Sequence, residues 1–180
     1  PRPPDLGAPD LGAPAAGWNF ADVWEAVAQA CPERPAQVHG GLTLTWREFD
    51  QRANGIADWL LRAGCRHQDK VALYLYNGPE YLQAAFACLK VSLVPVNTNY
   101  RYKQQELRFL WDNADAAAVV FDASFTATIE EIRAQCPKVR AWLYVGDPVD
   151  CPGWASALAV AAPPRAERPQ GARPRSGDDL

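Results

Sequence analysis

The residue types most suited to chemistry in this sequence stand together at positions 97–103, which read Asn-Thr-Asn-Tyr-Arg-Tyr-Lys. The guanidinium of Arg101 can form forked hydrogen bonds to a phosphate. The phenol ring of Tyr100 or Tyr102 can stack on a flat ring. Composition alone favours a competing interpretation, in which the asparagines form turns and cap the next helix while the cations are solvated. Both interpretations require this segment to be a loop.

The other side chains of catalytic type lack partners at a useful spacing. His39 and His67 have no cysteine, serine or carboxylate partner identifiable by spacing, so we interpret both as surface loop residues. The glycine patterns GxGxxG, GxxxxGK[ST] and GxSxG do not occur. No two cysteines form a CxxC pair, so the sequence predicts no metal site. Together with the spacing of the histidines and the missing glycine patterns, this predicts no catalytic residue in the chain. The five scattered cysteines, in a chain without a secretion signal, indicate the cytoplasm: Cys31, Cys65, Cys88, Cys136 and Cys151.

Apolar strands and amphipathic helices alternate from residue 69 onward. This order predicts an α/β fold, with a mostly parallel sheet flanked by helices on both faces. The carboxyl ends of parallel strands meet at one edge of a sheet, where open α/β sheets bind ligands. The loop at 97–103 follows one of these strands and is therefore expected at that edge. The predicted strands cover 71–76, 93–96, 117–121 and 139–145, and the predicted helices cover 79–91, 103–113 and 126–135.

Three elements are predicted ahead of this alternation. Asn19 can cap a helix over 20–30, and Gly40 and Gly41 fit a two-residue hairpin turn that needs positive φ. Thr45 and Glu48 have the spacing of a capping box, so a helix is expected to begin there and to end near Gly64.

The predicted helix at 79–91 is apolar nearly all round. It is therefore expected to be buried on more than one side. If parts that cover it are missing, the chain would expose an apolar patch and self-associate.

Composition and charge exclude several classes of protein. Hydrophobic residues make up 48% and charged residues 22%, which is typical of a globular protein. The formal net charge of −3 gives no reason to expect a nucleic-acid partner. No apolar run approaches the roughly 20 residues of a transmembrane segment.

The two ends of the chain differ from its middle. Residues 1–18 contain the pentapeptide DLGAP twice in tandem and are interpreted as a disordered, low-complexity leader. Residues 19–160 form the predicted folded part, and the proline- and arginine-rich residues 161–180 are interpreted as a linker. The chain has no methionine and opens on Pro1, so we expect a piece of a longer protein.

Residues 44–122 carry an ordered set of short marks. In chain order they are T-x-R-E-F, A-N, G-x-x-x-x-D-x-V-A-L, N-x-x-E-Y, A-x-x-A-x-L-K, V-P-V-N-x-N-Y-R-Y and D-N-A-D. In this order and spacing, the segment resembles the start of the acyl-CoA synthetases of the adenylate-forming, AMP-binding superfamily. The match is best to the bacterial fatty-acid–CoA ligase branch, and it extends more loosely over about 19–180.

The resemblance implies an activity for the longer protein. Members of this type use ATP and Mg²⁺ to convert a carboxylic acid to an acyl-adenylate, then transfer the acyl group to coenzyme A. The phosphate loop of the family normally follows a stretch like 176–180, so this chain is expected to lack it and to be inactive alone. The resemblance also implies that Arg101 faces the coenzyme A nucleotide. A cytoplasmic protein, with at most peripheral contact with a membrane, is expected.

Two other functions remain open from the sequence. The chain could be a non-catalytic, truncated α/β module that binds a partner. It could also belong to an adenylation domain that loads a carrier protein instead of coenzyme A. The sequence does not distinguish the acceptor thiol or the acid.

Overall fold

The first two helices begin at the predicted capping residues in the computed structural model, which describes residues 18–169. The side-chain oxygen of Asn19 accepts a hydrogen bond of 2.7 Å from the N–H of Ala21. The hydroxyl of Thr45 accepts a hydrogen bond from the N–H of Glu48, whose carboxylate accepts one from the N–H of Thr45 at 2.8 Å. Both predicted helix starts are therefore confirmed.

Helices occupy much of the described chain. They are α1 (Phe20–Ala30), α2 (Trp46–Arg62), α3 (Pro79–Lys90), α4 (Gln104–Asn113), α5 (Thr126–Ile132) and the short α6 (Leu158–Ala161). Single turns of 3₁₀ helix lie at Ala123–Phe125, Arg133–Gln135 and Pro148–Asp150. The second of these completes the helix predicted over 126–135.

The strands form two separate sheets. They are β1 (Pro35–His39), β2 (Leu42–Thr45), β3 (Lys70–Tyr74), β4 (Val94–Asn97), β5 (Ala116–Asp122), β6 (Ala141–Val145) and β7 (Ser156–Ala157). The first two pair as the predicted antiparallel hairpin. Gly40 takes the positive φ in its turn (57°), whereas Gly41 does not, so the expectation of positive φ at the turn holds for the first glycine alone.

The remaining five strands form one parallel sheet in the order β4-β3-β5-β6-β7. The chain leaves β3 towards β4 on one side and then crosses to β5 on the other. This reversal places a topological switch point between β3 and β5, where doubly wound sheets open a crevice. The predicted α/β fold with a parallel sheet is confirmed, and β7 is an addition.

Side chains alternate along the strands between two apolar cores. One face, covered by α1, α2 and α3, buries residues such as Val71, Leu73 and Val120. The other face, covered by α4 and α5, buries residues such as Tyr74 and Phe121. Helices therefore pack on both faces of the sheet, as predicted.

The apolar helix α3 lies between the sheet and the other two N-terminal helices. It contacts α1, α2, β1, β3 and β4. The prediction that it is buried on more than one side is confirmed, while Leu82 stays 45% exposed. Self-association remains a prediction.

The beginning of the segment interpreted as a linker lies against α2. The N–H of Arg165 donates to the carbonyl of Gln51 at 2.9 Å, and the side-chain amide of Asn54 donates to the carbonyl of Arg165 at 3.1 Å. A Cβ at Gly55 would overlap the carbonyl oxygen of Pro163, so glycine is required for this close approach. We call residues 162–168 the strap. The rest of the predicted linker and nearly all of the predicted leader lie outside the described residues.

Candidate functional site

A cleft of about 270 Å³ opens at the carboxyl edge of the sheet, at the switch point between β3 and β5. Its wall includes Tyr76 and Asn77 after β3, Asp122 at the end of β5, and His39 from the hairpin. His39, predicted as a surface loop residue, is exposed as expected but is the last residue of β1. The hairpin brings it to the ligand edge through tertiary packing alone.

The loop after β4 lies at the same edge and presents Arg101 to solvent. The side-chain oxygen of Asn99 accepts the N–H of Arg101 at 2.9 Å, and its carbonyl accepts the N–H of Tyr102 at 3.0 Å. Asn99 therefore forms a turn, as the competing interpretation requires. The turn does not bury the guanidinium, which lies 5.4 Å from the ring centroid of Tyr100.

Three hydrogen bonds from the strands and core hold this loop. The buried Thr98 donates its N–H to the carbonyl of Leu73 at 3.1 Å. Its hydroxyl accepts the indole N–H of Trp111 at 3.3 Å. The hydroxyl of Tyr74 donates to the carbonyl of Tyr102 at 3.0 Å. Arg101 is therefore carried on a loop fixed at both ends, which reduces the conformational entropy lost on binding a ligand.

An aromatic surface connects this loop to the cleft. The rings of Tyr76 and Tyr100 lie 5.2 Å apart, and Tyr76 lies 5.0 Å from Phe125. Tyr100 is 41% exposed, whereas Tyr102 packs against the core. Of the two phenol rings expected to stack on a ligand, the structure presents that of Tyr100.

Two buried cysteines, Cys65 and Cys88, are poor nucleophiles. Burial raises the pKa of the Cys65 thiol to about 11 and raises that of Cys88 further. Both therefore stay protonated near neutral pH, as expected for packing residues. His67 lies in the loop before β3, at the opposite edge of the sheet.

A buried charge cluster was not predicted from the sequence. Lys90, 1% exposed, forms ion pairs of 2.7 Å with Glu25 and with Asp50. The one sequence signal for it is a lysine in a helix that is apolar nearly all round. The cluster joins α1, α2 and α3 behind the sheet, so we assign it a structural role.

The fixed position of the loop gives a prediction for alkaline pH. Burial, with smaller effects of Tyr76 and Glu106, raises the pKa of Tyr74 from 10.0 to about 12. The folded protein holds this proton more tightly than the unfolded chain does. The stability that the protonated hydroxyl of Tyr74 contributes is therefore complete below pH 10 and is lost between pH 10 and 12. Tyr74→Phe is expected to make the fall in stability over that range shallower, as measured by urea unfolding at a series of pH values. An unchanged slope would contradict the role of this hydroxyl.

The described part of the chain has neither a cluster of metal ligands nor a membrane-spanning helix. Among residues 18–169, no three histidine, cysteine or acidic side chains are placed so that they could hold a metal ion. Within the same range, no helix has both the length and the apolar character needed to span a bilayer.

Comparison with known proteins places the chain in a family. The family model described as AMP-binding enzyme matches residues 24–180, most of the chain.

The chain belongs to the AMP-binding enzyme family.

Curated proteins are similar to this chain over part of their length. One, from Mycolicibacterium smegmatis, is named medium/long-chain-fatty-acid–CoA/3-oxocholest-4-en-26-oate–CoA ligase. It is 32% identical over 169 residues, covering 90% of this chain and 30% of that protein. A 3-oxocholest-4-en-26-oate–CoA ligase from Rhodococcus rhodochrous is 30% identical, with the same two coverages. The chain therefore spans about 30% of the length of these relatives.

Several solved structures share the fold of this chain. The N-terminal domain of FACL13 from Mycobacterium tuberculosis superposes with a TM-score of 0.77 at 25% identity, covering 89% of this chain and 39% of that chain. The anthranilate CoA ligase AuaEII superposes with a TM-score of 0.80 at 20% identity, covering 92% and 30%. The predicted membership of the adenylate-forming group is thus confirmed.

Proposed function

We propose that this chain is the N-terminal part of an acyl-CoA ligase. The longer protein would activate a fatty or related carboxylic acid with ATP and transfer the acyl group to coenzyme A. The family match over residues 24–180, together with relatives named as CoA ligases, carries the proposal. A cytoplasmic location and peripheral contact with a membrane belong to the same proposal.

The described residues do not fit a complete site for ATP and Mg²⁺. The sequence has no glycine-rich phosphate loop of either standard pattern, and residues 18–169 contain no cluster of metal ligands. Adenylation needs donors and a metal ion arranged around the triphosphate. We therefore assign no step of adenylation to these residues, and we propose that the 180-residue chain is inactive alone.

Arg101 is the residue of this chain that we assign to coenzyme A. Its guanidinium is exposed at the carboxyl edge, on a loop that buried residues hold in place. A guanidinium in this position can bind a phosphate of the nucleotide part of coenzyme A. The ring of Tyr100 beside it offers a flat apolar surface to the adenine.

Acid-dependent exchange of pyrophosphate into ATP tests the function. The chain extended to the length of its relatives is expected to catalyse exchange with fatty acids, and the 180-residue chain is not. Exchange without thioester formation on coenzyme A, but with transfer to a carrier protein, would favour the carrier-loading alternative. No exchange by the extended protein with any carboxylic acid would favour the non-catalytic module.

Arg101→Ala in the extended protein is expected to raise the KM for coenzyme A by about tenfold or more, since hydrogen bonds to charged groups contribute about 1.5–3 kcal/mol. The KM values for ATP and for the acid should change little. Steady-state kinetics with each substrate varied in turn measures the effect. Arg66→Ala is the matched control, because Arg66 is also exposed but precedes β3 at the other edge of the sheet. An unchanged KM for coenzyme A would refute the assignment.

A further inference from the structure

The strap lies on α2 with little of its own surface buried. Ala162 is buried at its start and Pro169 is buried just after its end, but all residues from 163 to 167 are exposed. Segments with few buried apolar contacts and exposed backbone hydrogen bonds have the lowest free energies of local opening in a protein. The strap therefore has the properties of a segment that can open while the sheet and its helices stay folded.

The closed strap leaves a buried polar atom of α2 without a partner. Asn54 is 1% exposed, and its side-chain nitrogen donates to a carboxylate oxygen of Asp50 and to the carbonyl of Arg165, each at 3.1 Å. Both partners are acceptors, so they fix which end of the amide is the oxygen. That oxygen, Oδ1, is buried and has no hydrogen-bond partner within residues 18–169. An unpaired buried acceptor costs free energy, and this cost is removed when the strap lifts and water reaches Asn54.

Two positions on α2 favour the closed strap. A Cβ at Gly55 would overlap the carbonyl oxygen of Pro163, so the absence of a side chain lets the strap approach the helix. The carboxylate of Asp58 pairs with the guanidinium of Arg165 and, within the helix, with that of Arg62. The side chain of Arg165 is 46% exposed, so salt screens its ion pair.

The strap also forms part of the walls of two clefts beside α2. Ala166 and Arg168 line one cleft, of about 520 Å³, which contains Lys90. Ala162 and Pro164 line the other, of about 330 Å³. Opening of the strap therefore removes a wall from each cleft and exposes the surface of α2.

We propose that the strap is a latch, which opens and closes on α2 without unfolding of the rest of the fold. The ion pair between Asp58 and Arg165 and the missing side chain at Gly55 favour the closed state, and the unpaired oxygen of Asn54 favours the open state. Closed, the latch holds the chain against α2. Open, it uncovers this helix and both clefts. The inference does not depend on the proposed function, because residues of this chain make every contact in it.

Amide hydrogen exchange of the 180-residue chain tests the latch. The N–H of Arg165, which donates to the carbonyl of Gln51, is expected to be at least tenfold less protected than the amides of β5, the central strand of the parallel sheet. In 1 M NaCl, exchange at Arg165 should accelerate about threefold, because the salt screens its ion pair, while exchange in β5 should not accelerate. Equal protection of Arg165 and β5 would overturn the proposal, since the strap would then open only when the whole fold unfolds.

Gly55→Ala separates the latch from the helix that carries it. Alanine favours a helix more than glycine does, so α2 itself is not weakened, but the new methyl group displaces the carbonyl of Pro163. Exchange at Arg165 is expected to accelerate at least tenfold, and so is tryptic cleavage of the bond between Arg165 and Ala166, followed by mass spectrometry. Gly153→Ala is the matched control, because a Cβ at Gly153 meets open space, and it should change neither rate. Unchanged rates in Gly55→Ala, or an equal loss of protection in β5, would overturn the proposal.

Asp58→Asn tests the ion pair of the latch. Exchange at Arg165 is expected to accelerate about threefold, and its further acceleration by 1 M NaCl should disappear. Glu33→Gln is the control, because it breaks the exposed pair of Glu33 with Arg47 away from the strap, and it should leave exchange at Arg165 and its salt dependence unchanged. Unchanged exchange in Asp58→Asn would contradict the role of this carboxylate. Because no ATP or coenzyme A is present, all of these outcomes are independent of the ligase assays.

Discussion

Lys90→Ala is expected to lower the free energy of unfolding by about 3–5 kcal/mol, the usual cost of removing one partner from a buried ion pair. The ammonium of Lys90 is enclosed between Glu25 of α1 and Asp50 of α2, at 2.7 Å from each carboxylate. It also lies 4.4 Å from the ring centroid of Phe86. Without the lysine, the two carboxylates lose the cation that they share and repel each other.

A double-mutant cycle distinguishes the charge from the packing. Lys90→Met keeps most of the apolar stem, so its loss of stability reports on the charge. Asp50→Asn removes one carboxylate, and the double variant is expected to lose less than the sum of the two single losses. Denaturant unfolding of the 180-residue chain measures all four proteins. A loss below about 1 kcal/mol for Lys90→Met would show that the cluster contributes no more than a surface pair does.

The sequence predicted those elements whose formation depends on nearby residues. The caps at Asn19 and Thr45 follow from hydrogen bonds within three positions along the chain. The parallel sheet follows from the alternation of apolar strands with helices, and the position of Arg101 follows from the rule for strand ends. These predictions needed no knowledge of distant contacts.

The features that were not predicted depend on distant contacts. Lys90 meets Glu25 across 65 positions and Asp50 across 40, so no local pattern indicates the cluster. The strap lies on α2 because Gly55 lacks a Cβ, and its proline- and arginine-rich composition indicated only a linker. His39 reaches the cleft because the hairpin packs against α3. The two-residue β7 is too short to show a period of its own.

In the candidate site, too, the features that depend on nearby residues were predictable and those that depend on distant contacts were not. The loop, its arginine and its exposure followed from the sequence, whereas the groups that hold the loop did not. Tyr74 lies in the strand predicted over 71–76 and Trp111 in the helix predicted over 103–113, and the structure shows that each donates a hydrogen bond to the loop. Hydrogen bonds therefore join the core on one face of the sheet to the candidate site at its edge.

Trp111→Ala is expected to show this connection, with a loss of about 3–5 kcal/mol of stability from the cavity and the lost contacts. Trp111 is 1% exposed and packs edge-on against Tyr74 and Trp142, with ring centroids 6.0 and 5.7 Å away. The substitution also leaves the buried hydroxyl of Thr98 without its indole donor. Denaturant unfolding measures the loss, and Phe109→Ala, 73% exposed on the same helix, should stay within about 0.5 kcal/mol of the parent.

Trp111→Phe separates packing from the hydrogen bond, because it keeps an aromatic ring but removes the indole N–H. Its loss is expected to include about 0.5–1.5 kcal/mol for the lost hydrogen bond, because the hydroxyl of Thr98 still donates to the carbonyl of Val96 at 3.5 Å, and to be smaller than that of Trp111→Ala. Amide hydrogen exchange at Thr98 and Tyr102 should accelerate in both variants, because the loop that carries Arg101 loses one of its fixed points. Unchanged exchange at these amides, despite a large loss of global stability, would show that the loop is held without Trp111. If exchange accelerates in Trp111→Phe, whose core keeps an aromatic ring at this position, the indole hydrogen bond helps to keep Arg101 in place.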